Sequence, residues 1–191
     1  MAERDFDPIR ALATLNRHGV RYVVIGGFAG KLRGSTILTV DIDVCYERDP
    51  ANLACLAAAL DELHATLRGA PEGLPFRLDA RTLAKGDAFT CVTDAGDLDI
   101  LGTPAGVSGY EELARNATEL DLDGAVVRVA AIDDLIRMKR ASARPRDMAH
   151  LDVLMALRDE IDEGSVRPDA DRQGSVRDRP RGSVTDRPRR P

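Results

Sequence analysis

Between Val20 and Tyr46 two strand-like apolar runs are separated by a glycine pair and a short helix-like stretch, and few folds can accommodate that order. Val20-Arg21-Tyr22-Val23-Val24-Ile25 is β-branched and aromatic, the composition of a buried strand. Gly26-Gly27 ends that run and opens a short helix, whose first backbone N–H groups suit an anion. The chain returns through Thr39-Val40-Asp41-Ile42-Asp43-Val44-Cys45-Tyr46, a second strand carrying two acids at spacing i, i+2. Side chains two apart on a strand share a face, so both carboxylates point the same way. Two close carboxylates repel each other unless a cation lies between them. Mg²⁺ takes a couple of carboxylates together with phosphate oxygens of its substrate. The pattern predicts metal-assisted nucleotidyl or phosphoryl transfer. Apolar Val40, Ile42 and Val44 fit an ordinary half-buried strand equally well. The glycine turn upstream and a further acid downstream, Asp99, tilt the reading towards chemistry.

The flanking sequence predicts how this unit is enclosed. Ile9, Leu12 and Leu15 stand at helical spacing between Pro8 and Arg17, and Gly19 suits the C′ position after that helix. Asp49-Pro50 starts a helix with Leu53, Leu56, Leu60 and Leu63 as its stripe. Arg68 to Pro75 reads as a loop. Phe76-Arg77-Leu78 and Ala88 to Thr93 read as strands, with a polar stretch around Lys85-Gly86-Asp87 between them. Asp94-Ala95-Gly96 is a turn into the strand Asp97 to Leu101, a hairpin that brings Asp99 beside Asp41 and Asp43. A loop from Gly102 to Gly109, a helix from Tyr110 to Asn116 and a strand from Val126 to Ala130 follow. Helices from Ile132 to Ala141 and from Arg146 to about Ile161 close the domain. Strands and helices mix without a strict βαβ repeat, which predicts an α/β (α+β) fold, a small mixed β-sheet flanked by helices.

Composition narrows the setting. With 43% hydrophobic residues, 4% aromatics and no Trp, the core must be aliphatic. A net charge of −5 offers no electrostatic argument for nucleic acid. Cys45, Cys55 and Cys91 are scattered without CxxC spacing, which argues against a disulfide framework or a zinc site and predicts a reducing cytoplasm. No leader-like or membrane-spanning run is present, so no membrane partner is expected. From Gly164 the chain is rich in Arg, Asp, Pro and Gly, with imperfect Gly-Ser-Val repeats. The expected organisation is therefore one domain over 1–163 and a disordered tail over 164–191.

Four stretches carry a resemblance. They are His18 to Gly27, Thr39-x-Asp41-x-Asp43, Leu98-Asp99-Ile100-Leu101, and Asp134 to Lys139 continuing through Ala143 to Asp147. In this order the sequence resembles the minimal nucleotidyltransferases of the DNA polymerase β superfamily, especially the AbiEii-like group of bacterial toxin–antitoxin systems, over roughly residues 10 to 155. The resemblance implies a polymerase β-type core with C-terminal helices, an NTP substrate and Mg²⁺ or Mn²⁺. It places Asp41 and Asp43 at the metal ions and Asp99 with them, activating the attacking hydroxyl. Asp97 lies on the same strand face, but the family pattern sets the acid before two apolar residues, which matches Asp99. Gly26 and Gly27 then approach the triphosphate, Ser35 and Thr36 stand within reach of phosphate, and Lys139, Arg144 and Asp147 border the nucleotide pocket. Toxin-type relatives modify tRNA ends and are paired with an antitoxin, whereas other superfamily members modify proteins or small hydroxylated molecules. One position departs from the pattern: Ile37 stands where the family has a basic residue, with Lys31 and Arg33 as nearby substitutes. That departure favours the alternative of a non-catalytic protein keeping the fold as a binding or regulatory module.

Overall fold

The computed structural model describes residues 6–71, 76–142 and 145–165, with the backbone alone for 145–149 and 164–165. The amphipathic helix α1 (Pro8–Arg17) opens the chain, capped by Asp7, whose carboxylate accepts the Arg10 N–H at 2.9 Å. Strand β1 (Tyr22–Ile25) leads into helix α2 (Gly26–Leu32), and β2 (Asp41–Tyr46) returns antiparallel beside β1 with Ile25 opposite Asp43. Asp49 caps α3 (Pro50–Glu62) through the N–H groups of Ala51 and Asn52. After β3 (Thr66–Leu67) and α4 (Ala80–Lys85), the hairpin β4 (Ala88–Thr93) and β5 (Gly96–Leu101) follows. Helix α5 (Tyr110–Asn116), the hairpin β6 (Thr118–Leu122) and β7 (Ala125–Val129), and helices α6 (Ile132–Ser142) and α7 (Pro145–Ser165) complete the order.

All seven strands join one mixed sheet in the order β3-β4-β5-β2-β1-β7-β6. The two parallel pairs, β2 with β5 and β1 with β7, lie at its centre, and antiparallel pairs extend it to both edges. This is the mixed sheet with flanking helices that the alternation of elements predicts. Along β2 and β5 one face is wholly apolar: Ile42, Val44, Leu98 and Ile100 are fully buried. The opposite face carries Asp41, Asp43, Asp97 and Asp99, all partly exposed. Aliphatic side chains dominate the interior, with Leu12, Leu15, Leu56, Leu83 and Leu113 fully buried.

Three elements differ from the sequence reading. Phe76-Arg77-Leu78 is not a strand; Phe76 is 41% exposed, and the place beside β4 belongs instead to the two residues of β3. The polar stretch after it forms α4, because Asp79 accepts the Thr82 N–H at 2.8 Å and Leu83 is buried beneath the turn. Strand β6 is polar enough to escape a hydrophobic count. It is held by a two-residue turn in which Asp123 and Gly124 both take positive φ, 52° and 90°. Strand β2 also begins later than Thr39, whose hydroxyl turns back onto Asp41. The tail beyond Ser165 lies outside the described residues.

Leu98 lies at the centre of the apolar face, in register with Ile42 across the parallel pair. Truncation there removes buried surface and leaves a cavity. Leu98→Ala is expected to lower unfolding stability by about 2–5 kcal/mol in a urea titration, with an unchanged slope.

Candidate active site

The site begins where β1 ends. Gly26 takes φ +67°, and a Cβ at that position would fall directly on the Asp43 carboxylate. A Cβ at Gly27 would meet the Thr39 hydroxyl at 2.9 Å. The Gly27 N–H itself donates to Asp43. The glycine pair therefore does more than reverse the chain: it leaves the space in which an acid and a hydroxyl sit against the first turn of α2. Thr39 in turn fixes the neighbouring acid, donating from Oγ1 to Asp41 Oδ1 at 2.5 Å.

The second half comes from β5. Its parallel register with β2 sets Asp97 beside Asp41 and Asp99 beside Asp43, so two rows of two acids share one face. Burial is the largest influence on Asp43, and with the charges of Asp41 and Asp99 it pushes that carboxyl up to about 7. Lys139 and the Gly27 N–H pull the other way. Asp99 is also raised, chiefly by burial, with Arg68 opposing and Asp41 and Asp97 adding. Such a cluster gains from a bound cation.

Arg68, which follows β3, reaches over the same face. Its Nε lies 3.2 Å from Asp97 and its Nη2 2.6 Å from Asp99. Asp97, set aside in favour of Asp99 on the family pattern, is a half-buried ion-pair partner. Among the described residues no three His, Cys, Asp or Glu side chains stand together as a ready metal site. The donor set fits a divalent ion in a narrower form. Asp41 and Asp43 supply two hard carboxylate ligands, and an ion there takes its remaining oxygens from substrate and water. Asp99 is adjacent but in the grip of Arg68.

Next to Asp43 opens a cleft of about 190 Å³ lined by Ile25, Gly26, Asp43, Leu135, Met138 and Lys139, among others. Its walls are largely apolar, with Lys139 close enough to Asp43 to lower its pKa. Ser35 is buried and its Oγ accepts the Ile37 N–H at 3.3 Å, shaping the loop before β2, while Thr36 is exposed on that loop. Arg33 does not stand in for the missing basic residue. Its guanidinium donates to the carbonyls of Ala130 at 2.5 Å and Val129 at 2.9 Å, tying α2 to β7. Lys31 is exposed on α2. Arg144 lies outside the described residues, and Asp147 is described only as backbone in α7. Arg68 is the participant that sequence reasoning missed. It lies in a stretch read as loop, and no local pattern marks its long-range partners.

No family model matches the sequence, and no curated protein matches it. Solved structures do match the fold. The crystal structure of ANT(2″)-Ia in complex with adenylyl-2″-tobramycin superposes with a TM-score of 0.51 at 17% identity, covering 83% of this chain and 89% of that one. A Thermotoga maritima protein described as a nucleotidyltransferase gives 0.46 at 13% identity, covering 81% and 90%. The chain shares the nucleotidyltransferase fold. Among the described residues no helix is long and apolar enough to cross a membrane.

The Asp43 seat has a pH signature. Its folded pKa, about 7, lies above the unfolded value of 3.8, so the native state binds more protons in between. Stability of the metal-free protein is therefore expected to fall as pH rises through that window. In chemical denaturation Asp43→Asn should flatten this dependence. Gly26→Ala should cost stability at any pH, because both the positive φ and the carboxylate oppose a methyl group.

Proposed function

We propose that the protein is a divalent-metal-dependent nucleotidyltransferase that moves an NMP from an NTP to an acceptor hydroxyl. The observation that carries this reading is the Asp41–Asp43 pair seated against the Gly26-Gly27 turn, with Lys139 across the adjoining cleft. In this reading the chemistry supplied by Mg²⁺ or Mn²⁺, when held by Asp41 and Asp43, is charge neutralisation at the transferring phosphate. The chain's own residues do the rest. The glycine turn lets the phosphates approach the backbone closely, and Lys139 offers a compact positive charge beside them. Asp99 accepts the proton of the acceptor hydroxyl as its oxygen bonds to the α-phosphorus and the bond to pyrophosphate breaks. Ser35 shapes the loop and Thr36 offers a hydroxyl from it, while Arg144 and Asp147 extend the nucleotide contacts, as the family resemblance implies. Residues 1–163 form the catalytic unit in this account and 164–191 an appended tail.

For the acceptor, the AbiEii-like motifs support a tRNA end, with a cognate antitoxin as partner and the cytoplasm as setting. The shared fold with ANT(2″)-Ia, seen with an adenylylated aminoglycoside, supports a small hydroxylated molecule instead. A second reading, a non-catalytic binding or regulatory module, is favoured by Ile37 and by the hold of Arg68 on Asp99. Transfer of label from each α-³²P NTP, with Mg²⁺, onto bacterial RNA, protein and a panel of aminoglycosides separates these readings. Asp43→Ala is expected to abolish labelling while its melting temperature stays level or rises, since a carboxyl strained by burial is removed. Absence of label on every fraction from the wild type, together with Mn²⁺ binding no tighter than in Asp43→Ala, would leave the module reading.

A further inference from the structure

We propose that Arg68 is the positioning residue of the acidic face. It is an internal counter-cation that holds Asp99 against Asp97 and sets how tightly Asp41 and Asp43 take a divalent ion. The proposal rests on the metal reading of that pair given above. Arg68 is built into the sheet edge rather than draped over it. Its backbone N–H donates to the Thr90 carbonyl at 2.8 Å, extending the β3–β4 pairing by one residue. From that anchor the guanidinium spans two carboxylates two residues apart on β5, with Nε on Asp97 and Nη2 on Asp99 at 2.6 Å. Nη2 also lies 3.4 Å from the Cys91 carbonyl, a backbone contact on β4 that fixes the plane of the fork. A planar fork suits two carboxylates at this spacing, whereas an ammonium on a flexible stem would serve them as a point charge.

The strand register makes this local ion pair matter to its neighbours. Asp97 and Asp99 stand directly beside Asp41 and Asp43, one strand away. A divalent ion on the β2 pair therefore sits within range of every charge on the β5 pair. With Arg68 in place, the β5 acids are partly cancelled and the ion meets a nearby positive charge. Without it, all four carboxylates attract the ion together. Arg68 thus lowers the metal affinity of the face while holding Asp99 apart from the ligands, where it can serve the acceptor. A purely structural arginine has a different consequence: losing it would loosen the β3–β4 edge and weaken binding, or leave it unchanged.

The test is an Mn²⁺ titration followed by the EPR signal of the free ion. It uses the full-length wild type, R68M, R68Q and R68K at fixed ionic strength, with D43A as control and circular dichroism to confirm folding. R68M and R68Q should bind Mn²⁺ about ten-fold more tightly than the wild type, the scale of one nearby charge at partial screening. R68K, which keeps the charge, should stay within about two-fold. Equal or weaker binding in both folded neutral variants, with the wild type still exceeding D43A, overturns the role of Arg68 alone. No binding by the wild type or any variant overturns that role and the metal reading together. Binding by the neutral variants but not by the wild type supports the proposal in its strongest form.

Discussion

The architecture depends on seating one carboxylate against a backbone turn. Asp43 is half-buried, it faces two like charges, and yet it lies where β1 gives way to α2. Three features make that tolerable: an N–H from Gly27, the missing side chain of Gly26, and Lys139 from a distant helix. Each comes from a different level of the structure. The N–H is local to the turn, the space is a property of residue type, and Lys139 requires α6 to pack over the same end of the sheet. The pair β1–β2 fixes the first two, since Ile25 lies opposite Asp43 in the ladder. The third arrives only once α6 is in place.

Much of this was legible in the sequence, for identifiable reasons. Strands β1, β2, β4 and β5 have β-branched or alternating patterns, and α1 and α3 have Asp-Pro starts with regular Leu spacing. Signals of that kind survive without tertiary information. Strands β3 and β6 carry weaker ones: the first is two residues long, and the second sets only two leucines, neither β-branched, among Thr118, Glu119 and Asp121. Asp123-Gly124 between Leu122 and Ala125 was the available clue to β6. Phe76 and Leu78 misled because apolar residues at alternate positions mimic a strand, whereas their segment only leads into the cap of α4.

Charged side chains were the least legible. Arg33 lies six residues before Thr39 and invites a role at phosphate, yet its Nε and Nη2 donate to carbonyls at the β7 end. Arg68 lies far from the acids in sequence and ends up on two of them. In both cases the partner is supplied by strand order, which local pattern does not encode. Asp97 follows the same rule. Its neighbour on β2 is Asp41, a relation that exists only because β5 pairs parallel to β2.

That parallel pairing has a consequence for assembly. No tight turn connects β2 to β5, so nothing covalent dictates their alignment, and a slip of one residue would exchange the two faces of β5. Asp97 and Asp99 would then enter the aliphatic interior while Leu98 and Ile100 faced the wet side, a penalty far larger than any single contact could offset. The acids that give the face its chemistry thereby also proofread the sheet. A chain joining its halves out of step meets the error as soon as it tries to close its core. Substituting these aspartates by apolar residues would remove the sheet's own check on alignment.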